Sequence, residues 1–228
     1  MRVQGPPKTT AKVQKAARLA RRERRRDLSR EEILAAARRV LLRRGIAATT
    51  LDAVAKDAGL SKAALYYYFP SKGALFFELV YGTLESYAHT INTSVDRSKN
   101  GGEALRAVIG DSVKAFAPNL DDFRLAFLHG QVAGQGEVHF DAQQFARIRP
   151  LNELWFGGAA KKLGEERKLR PSRARVEPRL MAFLAYVSAI GLLTMKGMVE
   201  SLKDPLLYSD EQLVEGLARI FEAAAAPV

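Results

Sequence analysis

Ser61-Lys62-Ala63-Ala64-Leu65-Tyr66-Tyr67-Tyr68-Phe69 decides the fold of this chain. A serine ahead of helix-compatible residues is an N-cap pattern, because its hydroxyl can accept from an early backbone N–H. Leu65 and Phe69 stand four apart, share one helical face, and are the predicted inner anchors. Three adjacent tyrosines cannot all face one core, so at least one phenol is predicted on the surface. Pro70 stops the helix. The product is a short helix with one cation in its first turn and aromatic hydroxyls beyond.

Working upstream, Gly59 is placed to close the preceding helix and turn the chain, with Leu60 filling the corner. That preceding helix is predicted to begin at Thr49, with Asp52 three residues on as the reciprocal member of a capping box. Leu51, Val54, Ala55 and Ala58 form its inner face, and the two alanines permit a close crossing. Before it, Ser29 and Glu32 make another capping-box pattern. Ile33, Ala37, Val40 and Leu41 recur at helical spacing, Arg38, Arg39, Arg43 and Arg44 take other faces or the last turn, and Gly45 ends the helix. Helix, glycine turn and capped helix in this order predict a helix-turn-helix.

The charge is concentrated in the same third of the chain. The net is +9 over residues 1–30, +3 over 31–75 and −1 over 76–228, which together give the +11 of the 228-residue chain. A localised positive field beside a neutral remainder points to a polyanion. Residues 1–28 read as a disordered basic arm, with Gly5-Pro6-Pro7 breaking structure and Arg21-Arg22-Glu23-Arg24-Arg25-Arg26 as a cationic block suited to DNA contact. The arm lacks an apolar h-region and so is not a secretory signal. No apolar run reaches membrane-span length. Cysteine is absent, which excludes disulfides and thiolate metal sites and fits a cytoplasmic location.

Residues 29–81 resemble the N-terminal domain of TetR-type (tetracycline-repressor-like) transcriptional regulators. The matching residues are Gly45, Thr49-Thr50-Leu51-Asp52-Ala53-Val54-Ala55, Ala58-Gly59-Leu60-Ser61-Lys62, Leu65-Tyr66-Tyr67-Tyr68-Phe69-Pro70-Ser71-Lys72 and Leu75. They cover about a quarter of the chain, and beyond them the likeness is one of length and helical character. The resemblance implies an all-α protein. Its expected parts are a helix-turn-helix DNA-binding domain at 29–75 and a larger helical effector-binding and dimerisation domain at 76–228. It further implies a homodimeric repressor on a palindromic operator, released by a small-molecule effector. A helix running on from Ser71 would join the two domains and move the recognition helix with it.

A recognition helix presents its N-terminal residues to base edges in the major groove. That places Lys62, Ala63 and Ala64 foremost: a lysine can donate to guanine O6 or N7, and alanine methyls can meet thymine methyls. Similar proteins often carry glycine at position 63 and a hydroxyl residue at position 64. This chain therefore has few direct hydrogen bonds to bases, and Lys62, Tyr67 and DNA shape are expected to carry the readout. Thr50, Ser61, Tyr66, Tyr67 and Lys72 are the expected backbone clamps. Of these, Thr50, Tyr66 and Lys72 match the family's phosphate contacts.

Downstream, helices are predicted near 103–117, 120–134, 141–163, 173–201 and 209–224, punctuated by Pro118, Gly134-Gln135-Gly136, Pro171 and Asp204-Pro205. Pro150 kinks or splits the third of them. Most aromatics here are core. Phe123, Phe127 and His129 on one helix, with Trp155 and Phe156 on another, are the candidate effector-binding residues. His129 and His139 have only Glu137 and Asp141 nearby, too few ligands for zinc. No nucleotide-binding glycine fingerprint and no acid–base constellation occurs, so neither a cofactor nor an enzymatic activity is expected. The helices near 173–201 and 209–224 are the expected pairing surface. The alternative is an architectural DNA-binding protein without an effector.

Overall fold

The computed structural model describes residues 29–45, 48–118, 120–128, 140–169, 176–202 and 208–226, and among these there is no strand. The basic arm at 1–28, His129 and His139, and the Gly134–Gly136, Pro171 and Asp204-Pro205 breaks all lie outside the described residues. The chain divides into two compact units, Met1–Leu79 and Val80–Val228.

The first unit holds α1 (29–45), α2 (Leu51–Asp57), α3 (Lys62–Tyr68) and the opening of α4 (Lys72–Arg97). The predicted apolar stripe of α1 is buried, with Ile33 and Ala37 wholly so, and Ala36 joins it. The arginines on the other side of α1 reach across to α2. Arg39 Nε donates to Asp57 Oδ2 at 2.9 Å, and Arg43 pairs with Asp57 Oδ1. The Arg43 hydrogen bond is the first reason the Asp57 carboxyl titrates below its usual range; Arg39 adds to it against the opposing cost of desolvation.

The start of α2 differs from the sequence expectation. The cap is Thr50, whose Oγ1 accepts from Ala53 N at 3.2 Å. Thr49 is buried and donates its hydroxyl to the Gly45 carbonyl at 2.7 Å. The reason lies at the end of α1, where carbonyls lack helical partners. Thr49 satisfies one of them and leaves the next threonine to cap. At the far end of α2, Leu60 N donates to Ala55 O and Gly59 N to Lys56 O, the paired bonds of a Schellman turn. Gly59 sits there at φ +68°, a left-handed conformation that glycine adopts without a Cβ penalty.

Ser61 then caps α3, accepting from Ala64 N at 3.2 Å. Leu65 and Phe69 are buried as the spacing predicted. Phe69 adopts extended backbone ahead of Pro70, as a pre-proline residue must. Ser71 starts the next helix by accepting from Ala74 N at 3.0 Å.

The second unit is built around α5 (Gly101–Phe116), which packs on three neighbours: α8 (Gly158–Leu169), α9 (Pro178–Leu202) and α10 (Asp210–Ala225). Asn100 caps α5, accepting from Glu103 N at 2.7 Å. Gly101 permits a close approach, since a Cβ there would lie 2.6 Å from Leu163 Cδ2. Between α5 and α8 run α6 (Leu120–Phe123), which passes into a π-helical turn at Arg124–Leu128, and α7 (Ala142–Ile148). The stretch predicted as one helix over 141–163 is split by a turn at Arg149-Pro150. The helix resumes through a second π-helical turn, Glu153–Gly157, into α8.

Helix α9 corrects one reading of composition. Pro178–Val199, with a mean hydropathy of 1.6, is long and apolar enough to cross a membrane by those two measures alone. Counting uninterrupted apolar residues missed it, because Ser188, Gly191 and Thr194 are small or weakly polar and break the run without lowering the mean much. Its inner face is narrow and alanine-rich: Met181, Ala182, Ala185, Tyr186, Ala189 and Leu193 are buried. Leu180, Leu184, Val187, Met195 and Met198 are exposed along the other side.

Candidate nucleic-acid interface

The first turn of α3 is presented outward. Ser61, Lys62 and Ala63 are exposed and Ala64 half-buried. Tyr66 and Tyr67 are exposed by 41% and 67%, so these two of the three tyrosines do not serve the core. Tyr68 is half-buried and meets the edge of Tyr67, ring centroids 5.3 Å apart. This surface exists because Leu65, within the seven-residue helix, and Phe69, at its C-cap, are the anchors buried on the inward side. Arg30 stacks its guanidinium 4.9 Å from the Phe69 ring centroid and pairs with Glu78 at 2.8 Å, fastening α1 over that anchor.

Thr50 is exposed at the N-cap of α2, and Lys72 is the first residue of α4 beyond its serine cap. Helix N-termini carry free N–H groups and a positive dipole end, so both positions suit a phosphate. Thr50 already accepts from its own helix, but its hydroxyl proton is still available to donate. Lys72→Ala is expected to weaken binding to all duplexes about equally and lower the salt slope by roughly one. Titrations at several salt concentrations, on matched and scrambled duplexes, measure both.

Lys62 has a partner that sequence reading did not supply. Its Nζ donates to Asp52 Oδ2 at 2.9 Å. The ammonium also lies 5.7 Å from the Tyr66 ring centroid. The Asp52 hydrogen bond is the main reason the amine is held above its usual pKa. The signal was present: two opposite charges ten positions apart across one turn. Its spacing from Thr49 fits a capping box equally well.

In the helical unit, four of the five predicted effector residues come together. Phe123 and Phe127 have ring centroids 5.2 Å apart, and Trp155 and Phe156 follow each other on the second π-helical turn. His129 lies outside the described residues. The cluster also takes in Tyr87, Phe116 and Tyr186. Tyr186 stacks on Trp155 at 5.5 Å with planes 9° apart, and Tyr87 lies 4.4 Å from Phe116 and 6.5 Å from Trp155. Among the described residues, Tyr87 Oη, Trp155 Nε1 and Asp111 Oδ2 are buried with no geometric hydrogen-bond partner. Ser112 lies beside the Tyr87 phenol; its hydroxyl proton goes to the Val108 carbonyl, and its oxygen remains able to accept from Tyr87. Burial pushes the phenols of Tyr87 and Tyr186 well above their usual range.

A cleft of about 690 Å³ opens elsewhere in the same unit, lined by Asn100, Glu103, Leu163, Glu166, Arg167 and Glu222 among others. Its acids are engaged: Glu166 accepts from Gly101 N, Glu103 from Lys99 N and Glu222 from Arg106. The aromatic cluster, with buried polar atoms still to satisfy, is the better candidate. Among the described residues no group of three His, Asp or Glu side chains is placed to hold a metal ion.

Residues 33–79 match the profile of "Bacterial regulatory proteins, tetR family". An uncharacterised HTH-type transcriptional regulator of Bacillus subtilis, YxaF, is 36% identical over 89 residues, covering 39% of this chain and 47% of that protein. The nucleoid occlusion factor SlmA of Vibrio atlanticus is 38% identical over 81 residues, covering 35% of this chain and 41% of that one. The matches thus span about half the length of these relatives or less. Across the whole fold, the transcriptional regulator FadR of Bacillus subtilis in complex with stearoyl-CoA aligns with a TM-score of 0.63 at 16% identity, over 85% of this chain and 98% of its own.

Proposed function

We propose, from the match of residues 33–79 to the tetR-family profile, that the chain is a TetR-type DNA-binding transcriptional regulator, a homodimeric repressor released from a palindromic operator by a small, largely apolar molecule. The observation that carries the DNA half is the division of α3 into two faces. Leu65 and Phe69 fix it from within, while Lys62, Ala63, Tyr66 and Tyr67 stand exposed. A helix held this way can enter a major groove without unfolding its own support. Selection of the full chain on randomised duplexes tests the reading. Enrichment of a palindrome whose affinity falls steeply with salt is the expected result. Equal recovery of all sequences would reject it.

The exposed apolar stripe of α9 supports pairing. Leu180, Leu184, Val187 and Met198 repeat at near-heptad spacing, with Gly191 between them, and Ile220 on α10 is also exposed. A helix with apolar residues on two faces needs two partners, and a twofold mate supplies the second while setting two α3 helices on successive grooves.

For the effector, the aromatic cluster supports an apolar ligand carrying a hydrogen-bond acceptor. Among the described residues the buried donor Trp155 Nε1 lacks a partner, and a bound acceptor would relieve that cost. Both flanking helices carry π-helical turns beside these rings, a feature often found at functional sites. Trp155 is the chain's single tryptophan, so tryptophan fluorescence excited selectively reports on this cluster. Stearoyl-CoA, the ligand of the FadR neighbour, is the first compound to titrate. A saturable fluorescence change matched by release of the selected duplex is the expected pattern. Helix α4 carries both Lys72 and Tyr87, so a ligand that shifts Tyr87 acts on a helix that also bears a DNA contact.

One observation favours the second reading, an architectural DNA-binding protein without an effector. The described rings of the cluster stand in mutual contact, Tyr87 on Phe116, Phe116 on Phe127 and Trp155 on Tyr186. Fluorescence unmoved across a broad apolar ligand set, with the palindrome still selected, would establish that reading.

A further inference from the structure

We propose that Asp52 is a positioning residue for base readout: from α2 it holds the Lys62 ammonium at the outward face of α3, so that the lysine meets the groove already oriented. The inference rests on α3 being the recognition helix. It starts from an electrostatic oddity. Lys62 is the first residue of α3, a position where the helix dipole disfavours a cation, and the first turn of α3 holds no acid. The missing anion comes from the neighbouring helix, since Asp52 Oδ2 accepts from Lys62 Nζ at 2.9 Å.

Stability does not explain this pair. The two side chains are 64% and 60% exposed, and ion pairs so exposed contribute little to folding. Asp52 is not needed as a cap either, because Thr50 and its hydroxyl already perform that task. Affinity does not explain it, for a carboxylate beside a phosphate backbone repels every duplex alike. What the pair does supply is order. A lysine ammonium rides on four rotatable bonds, and most of that freedom must be lost to reach one base edge. Asp52 from one side and the Tyr66 ring from the other restrict it beforehand. The same carboxylate repels the acceptor edge of any base pair on which Lys62 cannot settle, so a mismatch loses more than a match gains. Ala63 and Ala64 beside it bring no hydrogen bonds of their own, which leaves discrimination to depend on where one ammonium sits.

The test uses the full chain and the duplex obtained by selection on randomised DNA. Asp52→Asn should bind unrelated duplex a few-fold more tightly. It should lose about 3- to 10-fold of the preference at the base pair Lys62 reads, part of the 5- to 150-fold that one good base contact carries. Asp52→Glu should recover part of the preference. In a Lys62→Ala background, Asp52→Asn should still raise general binding and leave base preference unchanged, because the effect passes through Lys62. Thermal unfolding of each variant serves as the control, and Asp52→Ser provides a second probe should the asparagine variant fold poorly. Equal base preference in wild type and folded Asp52→Asn or Asp52→Ser overturns the proposal, as does a preference shift of the same size without Lys62. If the wild type selects no sequence, the recognition-helix reading has failed instead, a different and separable outcome.

Discussion

Phe69→Ala is expected to unfold the DNA-binding unit while leaving the helical unit standing. Phe69 is 1% exposed and packs in the same unit as Leu65, with Arg30 over its ring. Removing a buried phenylalanine costs about 3–5 kcal/mol through lost transfer energy and the cavity left behind. A unit of this size is stabilised by only about 3–8 kcal/mol in total. One substitution therefore removes most of its margin. Two probes separate the units. Binding to the selected duplex should vanish, whereas the urea midpoint read by Trp155 fluorescence should hold, because Trp155 lies in the second unit. A variant that still binds the duplex would show that the inner face of α3 does not depend on this anchor.

Val187→Arg is expected to break the dimer and, with it, operator binding. Val187 sits midway along the exposed apolar stripe of α9. An arginine there meets its own symmetry mate across a twofold axis, so each chain adds a charge facing a like charge. Loss of pairing turns one bivalent ligand into two separate half-site binders, which removes an avidity of about 10²–10⁴. Sedimentation should show a monomer, and affinity for the full palindrome should fall by at least about 100-fold, approaching that for an isolated half-site. Leu169→Arg is the matched control, since Leu169 is also exposed but stands on α8, away from the stripe. It should change neither measurement. A Val187→Arg chain that remains dimeric would place the pairing surface elsewhere.

The sequence made the DNA-binding unit legible because its signals are local. Ser61 and Ala64 N, Gly59 and its turn, Leu65 and Phe69 are each within a few positions of their partners. Thr49 defeated the same reasoning because two adjacent threonines offer the same chemistry, and only the end of α1 distinguishes them. Asp52 was misread for a related cause. Its spacing fits a capping box, but its true partner sits across a turn whose angle no local pattern reveals.

The helical unit was legible as helices and as little more. Trp155 and Phe156 were singled out as neighbours in sequence, yet what gives the cluster its character is Tyr186, from another helix, stacked on Trp155. Contacts of that kind depend on crossing angles and on the two π-helical turns. Neither follows from apolar periodicity. The faces of α9 show the same limit. Periodicity puts apolar residues on more than one face of it, but only packing separates the alanines that face inward from the leucines, valine and methionines that do not.

The exposed stripe on α9 also bears on how the protein's heat resistance should be measured. Under the pairing proposed above, the chain hides that surface by meeting its twin and unfolds in a reaction with two products, so its melting point becomes a property of the tube as well as of the molecule. Each tenfold dilution should lower it, and the drop should disappear in Val187→Arg. In a cell that makes few copies, scarcity would leave that surface uncovered, and turnover rather than operator occupancy would set how many working regulators persist.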